Sequence, residues 1–133
     1  MNRIFADSFY FFAILNPHDA AHAKAIDIGR QYRSPLITTA WVLTELADGL
    51  AHTARRQVFQ RVIQDLEANK ANLIVPANAE TFEKAVELYN ARPDKRWSLT
   101  DCISFIVMWE EHILEALTGD NHFEQAGFKA LLK

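Results

Sequence analysis

The sequence predicts an α/β domain built on a mainly parallel sheet. Short apolar runs of strand length alternate with longer segments of helical periodicity. The segments joining successive strands are long enough for right-handed crossovers, the connection that parallel neighbours require. The chain has 133 residues, half of them apolar, which suits one hydrophobic core and a single domain over 1–133 without disulfides or a structural metal.

Taken in order, Arg3-Ile4-Phe5-Ala6-Asp7 reads as a short buried strand ending in an acid. Residues 8–15 are apolar and helical, stopping at Asn16-Pro17. A second helix spans 19–32, with Ala21, Ala25, Ile28 and Tyr32 on one face. Residues 35–38 form the second strand. Thr39 caps a helix whose apolar stripe is Val42, Leu46 and Leu50 with Trp41, and Gly49 weakens its far end. The next helix, 53–69, turns Val58, Val62 and Leu66 inward and Arg55, Arg56 and Arg61 outward. Residues 72–76 are a third strand, 81–90 a helix and 92–97 a charged loop. Ser98 opens a helix reaching about Glu111, 115–118 are a fourth strand, 120–126 one or two helical turns, and 128–132 a last edge strand.

Composition narrows the function. Cys102 is the only cysteine, so no internal disulfide can form and a reducing cytoplasm is the expected setting. The apolar run 8–15 is too short to span a bilayer and lacks the flanks of a signal peptide. The net charge of −3 gives no bulk attraction for nucleic acid. A polyanionic substrate would need positive potential made locally, by metal ions and clustered arginines.

Four acids stand at chemically suggestive places. Asp7 sits where the first strand hands over to a helix, and Asp120 where the fourth does. Both suit helix caps. Ser98-Leu99-Thr100-Asp101 matches a capping box. Glu45 lies inside an apolar helix beside its buried stripe, where an unpaired carboxylate is costly unless it reaches solvent or an arginine. In an open parallel sheet, strand C-termini share one edge, and ligands bind there where the strand order switches. Asp7 and Asp120 both follow strands onto that edge. Asp101 begins a helix leading into the fourth strand, and periodicity alone leaves its place open. Converging carboxylates suit Mg²⁺ or Mn²⁺. Two such ions about 3.5–4 Å apart can stabilise the attacking and leaving oxygens of a phosphodiester.

Two other small acidic α/β classes fit less well. A phosphate-signalling receiver would carry an acidic pair after the first strand and an Asp after the third; here Asp7 is followed by Ser8-Phe9, and the third strand ends Leu73-Ile74-Val75-Pro76. A dehalogenase-type phosphatase would need an Asp where Phe9 stands.

The ordered set Ile4-Phe5-Ala6-Asp7-Ser8, Thr38-Thr39-Ala40-Trp41-Val42-Leu43-Thr44-Glu45-Leu46, Ser98-Leu99-Thr100-Asp101-Cys102 and Thr118-Gly119-Asp120-Asn121-His122-Phe123-Glu124-Gln125-Ala126-Gly127-Phe128 resembles the PIN-domain family, specifically VapC-like toxins of type II toxin–antitoxin systems. The resemblance implies a PIN-like fold, a short parallel sheet flanked by helices on both faces. It implies an endoribonuclease that uses Mg²⁺ or Mn²⁺ to hydrolyse RNA phosphodiester bonds. Asp7 and Asp101 would be the principal metal ligands, Glu45 and Asp120 would complete the catalytic pocket, and Ser8 and Thr118 would orient carboxylates or water. It also implies a cognate antitoxin and a homodimer. Arg55, Arg56, Lys95 and Arg96, with Arg61, are candidate RNA contacts or a solvated charged face. A non-catalytic module binding metal or RNA in the same pocket is the alternative.

Lesser candidates have plainer explanations. His18 and His22 have metal-ligand spacing but no third ligand nearby, so they read as surface histidines. His122, close to Asp120, could touch RNA but reads first as exposed helix surface, His112 fits no metal motif, and Cys102 reads as buried structure. Phe9, Phe11 and Phe12 suit core packing, or a dimer or antitoxin surface.

Overall fold

In the computed structural model, which describes residues 2–133, the elements are β1 (Ile4–Ala6), α1 (Ser8–Leu15), α2 (His22–Gln31), β2 (Leu36–Thr39), α3 (Ala40–Leu50) and α4 (Val58–Ala68). They continue with β3 (Leu73–Val75), α5 (Ala79–Ala91), α6 (Leu99–Glu110), β4 (Glu115–Leu117), α7 (Asn121–Gln125) and β5 (Lys129–Ala130). The strands form one five-stranded, all-parallel sheet in the order β3-β2-β1-β4-β5. Successive residues of a strand point to opposite faces. Ile4, Phe5 and Ala6 are all buried, so both faces of the central strand are covered. This is the PIN-like α/β architecture that the resemblance implies.

The topology sets the place of the site. From β1 the chain steps outward through β2 to β3, then crosses to β4 on the other side of β1. Phe5 pairs with Ile37 on one side and Ala116 on the other. The strand order therefore switches between β1 and β4, and the ends of these two strands flank a crevice.

Several boundaries differ from expectation, two of them for a plain local reason. α2 begins at His22 rather than at 19, because the Asp19 side chain accepts the Ala21 N–H at 2.8 Å and holds a turn. α4 begins at Val58 rather than at 53. The Thr53 hydroxyl donates to the Leu50 carbonyl at 2.9 Å and accepts the Arg55 N–H at 3.0 Å, which replaces a first helical turn. β5 is shorter than 128–132, although the Leu131 and Leu132 N–H groups still bond the Ala116 and Thr118 carbonyls at 2.9 and 3.0 Å. Among the described residues, no helix is long and apolar enough to cross a membrane.

α3 runs unbroken through Gly49 to Leu50. A Cβ at position 49 would stand 2.5 Å from Cζ of Phe12, so the glycine makes room for that ring. Gly→Ala inside a helix ordinarily adds about 1 kcal/mol of stability. Here Gly49→Ala is expected to lower the melting temperature instead, because the Phe12 ring must leave its packed position. A rise in the melting temperature would show that the ring moves freely.

Candidate active site

Asp7 occupies the cap position of α1, but its side chain makes no capping hydrogen bond. Its Oδ2 instead accepts the Thr118 hydroxyl at 2.8 Å, a buried bond across the β1–β4 switch. The same Thr118 oxygen accepts the Asp120 N–H at 3.1 Å, so one side chain ties both strand ends together. Asp7 is only 5% exposed. Burial pushes its carboxyl up to about 7, opposed by the Thr118 bond and reinforced by the charges of Asp101 and Glu45. A buried carboxyl shifted this far is a candidate functional group.

Asp101 and Asp120 do cap helices, and each caps with one oxygen. In the capping box of α6, Asp101 Oδ2 accepts the Ser98 N–H at 3.1 Å while Ser98 Oγ accepts the Asp101 N–H at 3.0 Å. Asp120 Oδ1 accepts the His122 N–H at 2.9 Å at the start of α7. Burial raises the Asp101 carboxyl, the Ser98 N–H and His122 lower it, and Asp120 raises it further. Glu45 is exposed, on the edge of α3 beside the buried Val42 and Leu46, and accepts a hydrogen bond from the Ser8 hydroxyl.

The four acids line one cleft of about 390 Å³, together with Ser8 and His122. Arg96, Ser98, Phe9 and Phe12 complete its walls. Asp101 reaches this edge because α6 precedes β4: a helix that feeds a parallel strand starts at the edge where that strand ends. An aromatic cluster holds the pieces in register. The Phe105 ring lies 5.0 Å from Trp97 and 5.0 Å from Phe123, centroid to centroid, and the Trp97 indole N–H donates to Gln125 Oε1 at 3.0 Å. The 92–97 loop, α6 and α7 are thus joined.

His122, which the sequence favours as exposed helix surface, lies among the acids. It is half-buried rather than a free surface group, and its Nδ1 lies 2.9 Å from Asp101 Oδ2 and 3.4 Å from Asp120 Oδ1. Its position two residues after Asp120 is the available signal.

The predicted basic residues divide. Arg96 lines the cleft, and with Lys95 it also lines an adjoining groove of about 510 Å³ that includes Arg92 and Tyr89. Arg92 is engaged by Asp94 at 2.9 Å and lies over the Trp97 ring. Arg55 and Arg56 do not line the cleft. They sit exposed in the 51–57 turn, with Arg56 Nη1 donating to the Ala51 carbonyl at 3.2 Å. α3 starts at the strand-end edge and carries the chain back along the sheet before that turn. Arg61 lines a separate groove between α1 and α4.

Cys102 is fully buried, and burial, with Asp101 nearby, pushes its thiol up to about 11, so it is structural. His22 Nδ1 lies 2.7 Å from the Ala13 carbonyl, and His18 is exposed. Among the described residues, the set with metal-ligand proximity is Asp101, Asp120 and His122. Clustered carboxylates, one buried and driven toward its neutral form, match the oxygen donors that a hard divalent cation takes.

Comparison with curated proteins finds no match. Among solved structures, the chain is similar to VapC20 of Mycobacterium tuberculosis, described as a sarcin-ricin loop cleaving toxin, with a TM-score of 0.84, 24% identity, and coverage of 94% of this chain and 95% of that one. It is also similar to FitAcB from Neisseria gonorrhoeae, with a TM-score of 0.69, 16% identity, and coverage of 96% and 95%. Both likenesses are of fold. The PIN domain family model matches residues 4–129. With that match over nearly its whole length, and with its acids gathered where the strand order switches, the chain belongs to the PIN domain family.

Proposed function

We propose that this chain is a divalent-metal-dependent endoribonuclease, a hydrolase of RNA phosphodiester bonds, and the toxin of a type II toxin–antitoxin pair acting in the cytoplasm. The observation that carries the proposal is the gathering of Asp7, Glu45, Asp101 and Asp120 around one cleft at the β1–β4 switch. The fold of VapC20, a toxin that cleaves the sarcin-ricin loop, supports the RNA and toxin parts of this reading.

In this reading Asp7 and Asp101 hold the cation, Mg²⁺ or Mn²⁺, and Glu45 and Asp120 complete its surroundings. When bound, the ion supplies Lewis acidity and a more acidic water. Thr118 fixes the rotamer of Asp7 and Ser8 that of Glu45, so the carboxylates meet their ligand without first reorganising. Asp7, driven toward its neutral form by burial, gives up its proton on binding. Arg96 and Lys95 meet phosphates of the RNA strand, offsetting an acidic chain where it matters. A cognate antitoxin inhibits by inserting an arginine among the carboxylates, where a guanidinium fork matches their geometry. The active species is a homodimer, which sedimentation tests: a monomer at all accessible concentrations contradicts it.

The deciding experiment is an RNA cleavage time course with Mg²⁺ or Mn²⁺, with a chelator, and with Asp101→Asn. Asn keeps an acceptor for the Ser98 N–H, so α6 remains capped. Cleavage is expected to stop with chelator and to fall at least about a hundredfold in the variant, the scale of losing a positioned charged group. RNA binding without cleavage by the wild type would instead make the cleft a binding module. Undiminished cleavage by Asp101→Asn would remove that residue from the chemistry.

A further inference from the structure

His122 has no part in the roles above, yet it faces the acids directly. Its Nδ1 points at Asp101 Oδ2 and Asp120 Oδ1, 2.9 and 3.4 Å away. Both partners are carboxylate oxygens, and an ionised carboxylate only accepts, so the tautomer with its hydrogen on Nδ1 is the one that fits between them. A cation can take the place of that hydrogen, facing the same nitrogen and the same two oxygens. The spacing suits this exchange. Adjacent ligands of an octahedral ion with bonds of roughly 2.1 Å stand about 3 Å apart. The ligand atoms of Asp101, Asp120 and His122 lie within 4.8 Å of one another.

The backbone also favours the arrangement. His122 is the second residue of α7, and its N–H is held by Asp120 Oδ1. The next residue, Phe123, is fully buried against Phe105 and Phe5. The helix is therefore anchored on its core side, and the imidazole is presented to the cleft without a mobile arm.

Building on the metal-dependent reading above, we infer that His122 is a nitrogen ligand to a cation held between Asp101 and Asp120, so that this position selects Mn²⁺ over Mg²⁺. Mg²⁺ keeps to oxygen and sheds its water reluctantly. Mn²⁺ stands higher in affinity for sites containing imidazole. Asp7 and Glu45, which line the same cleft, offer oxygen alone. The cleft is thus chemically lopsided.

The test uses the full chain, wild type and His122→Gln, loaded with less than one equivalent of Mn²⁺ at a single pH. Pulsed EPR of the wild type is expected to show modulation from a directly bound nitrogen, absent in the variant. Calorimetry is expected to show Mn²⁺ affinity falling about tenfold, the lower end of what disturbing a metal ligand's environment costs, with Mg²⁺ affinity changing less. His122→Asn, which is shorter, should repeat both losses. Bound Mn²⁺ without nitrogen modulation in the wild type would overturn the inference. So would equal losses for the two ions, the result of a histidine that only steadies Asp101. Failure of the broader reading has a different signature: wild type that binds neither ion and cleaves RNA undisturbed by chelator.

Discussion

Asp7→Asn is expected to abolish RNA cleavage while raising the melting temperature of the metal-free protein above pH 7. The carboxyl of Asp7 is pushed up to about 7 in the folded chain, from an ordinary value of 3.8. Between those two values the folded state holds a proton that the unfolded state has released. Stability of the metal-free wild type therefore falls as pH rises through this window, by about 1.4 kcal/mol per pH unit, and levels off above it. Asn carries no such proton, so its curve lacks this slope. The variant's advantage is small near pH 4 and grows to a few kcal/mol by pH 7. The amide also retains an oxygen for the Thr118 hydroxyl, so the β1–β4 tie survives. Added Mg²⁺ or Mn²⁺ should raise the wild-type melting temperature by mass action and the variant's less. Melting curves from pH 4 to 8 in chelator, then with metal, check both halves. Parallel pH curves for the two proteins would refute the assignment of Asp7 as the buried acid.

Phe105→Ala is expected to cost about 3–5 kcal/mol of stability, the range for removing a buried aromatic ring from a core. Phe105 is fully buried, with Trp97, Phe123, Phe128 and Trp109 at centroid distances of 5.0, 5.0, 5.6 and 6.1 Å. Filling that space would take neighbouring rings out of their own packed positions. The effect should reach the cleft, since Phe105 and Phe123 set the spacing between the helices that start near Asp101 and Asp120. Cleavage should fall in Phe105→Ala even at temperatures where the protein remains folded, and Phe105→Leu should lose less of both. Urea unfolding measures the first effect and the cleavage time course the second. A loss under about 1 kcal/mol would mean the cavity collapses and the cluster does not set the spacing.

The fold class is legible in the sequence because short, continuous apolar runs such as Ile4-Phe5-Ala6 alternate with longer helical segments, the pattern of a sheet covered on both faces. The acid set is legible chiefly through its order along the chain. The bland interpretation of the acids and the functional one turn out not to compete. Asp101 and Asp120 cap with one oxygen and still line the cleft, while Asp7 does not cap at all. Periodicity leaves Asp101 without an edge because it reveals a helix but not its direction, and the direction is imposed by the parallel strand after it. His122 escapes because helical periodicity gives the face of a long helix, and α7 is five residues long. Arg55 and Arg56 resemble helix-face cations because Thr53 suits a cap and a turn equally well. Such choices are settled by hydrogen bonds that a sequence window does not contain.

The Thr118–Asp7 bond joins residues 111 positions apart, and it lies at the edge where the four acids meet. On a ribosome this has a temporal meaning. β1 precedes β4 along the chain and keeps an unpaired edge on one side until β4 emerges, and Asp7 has no Thr118 hydroxyl until residue 118 is free of the tunnel. Asp120 and His122 arrive later still. A chain that stops short of residue 118 lacks the hydroxyl that holds Asp7, and with it the Asp120 and His122 side of the cleft.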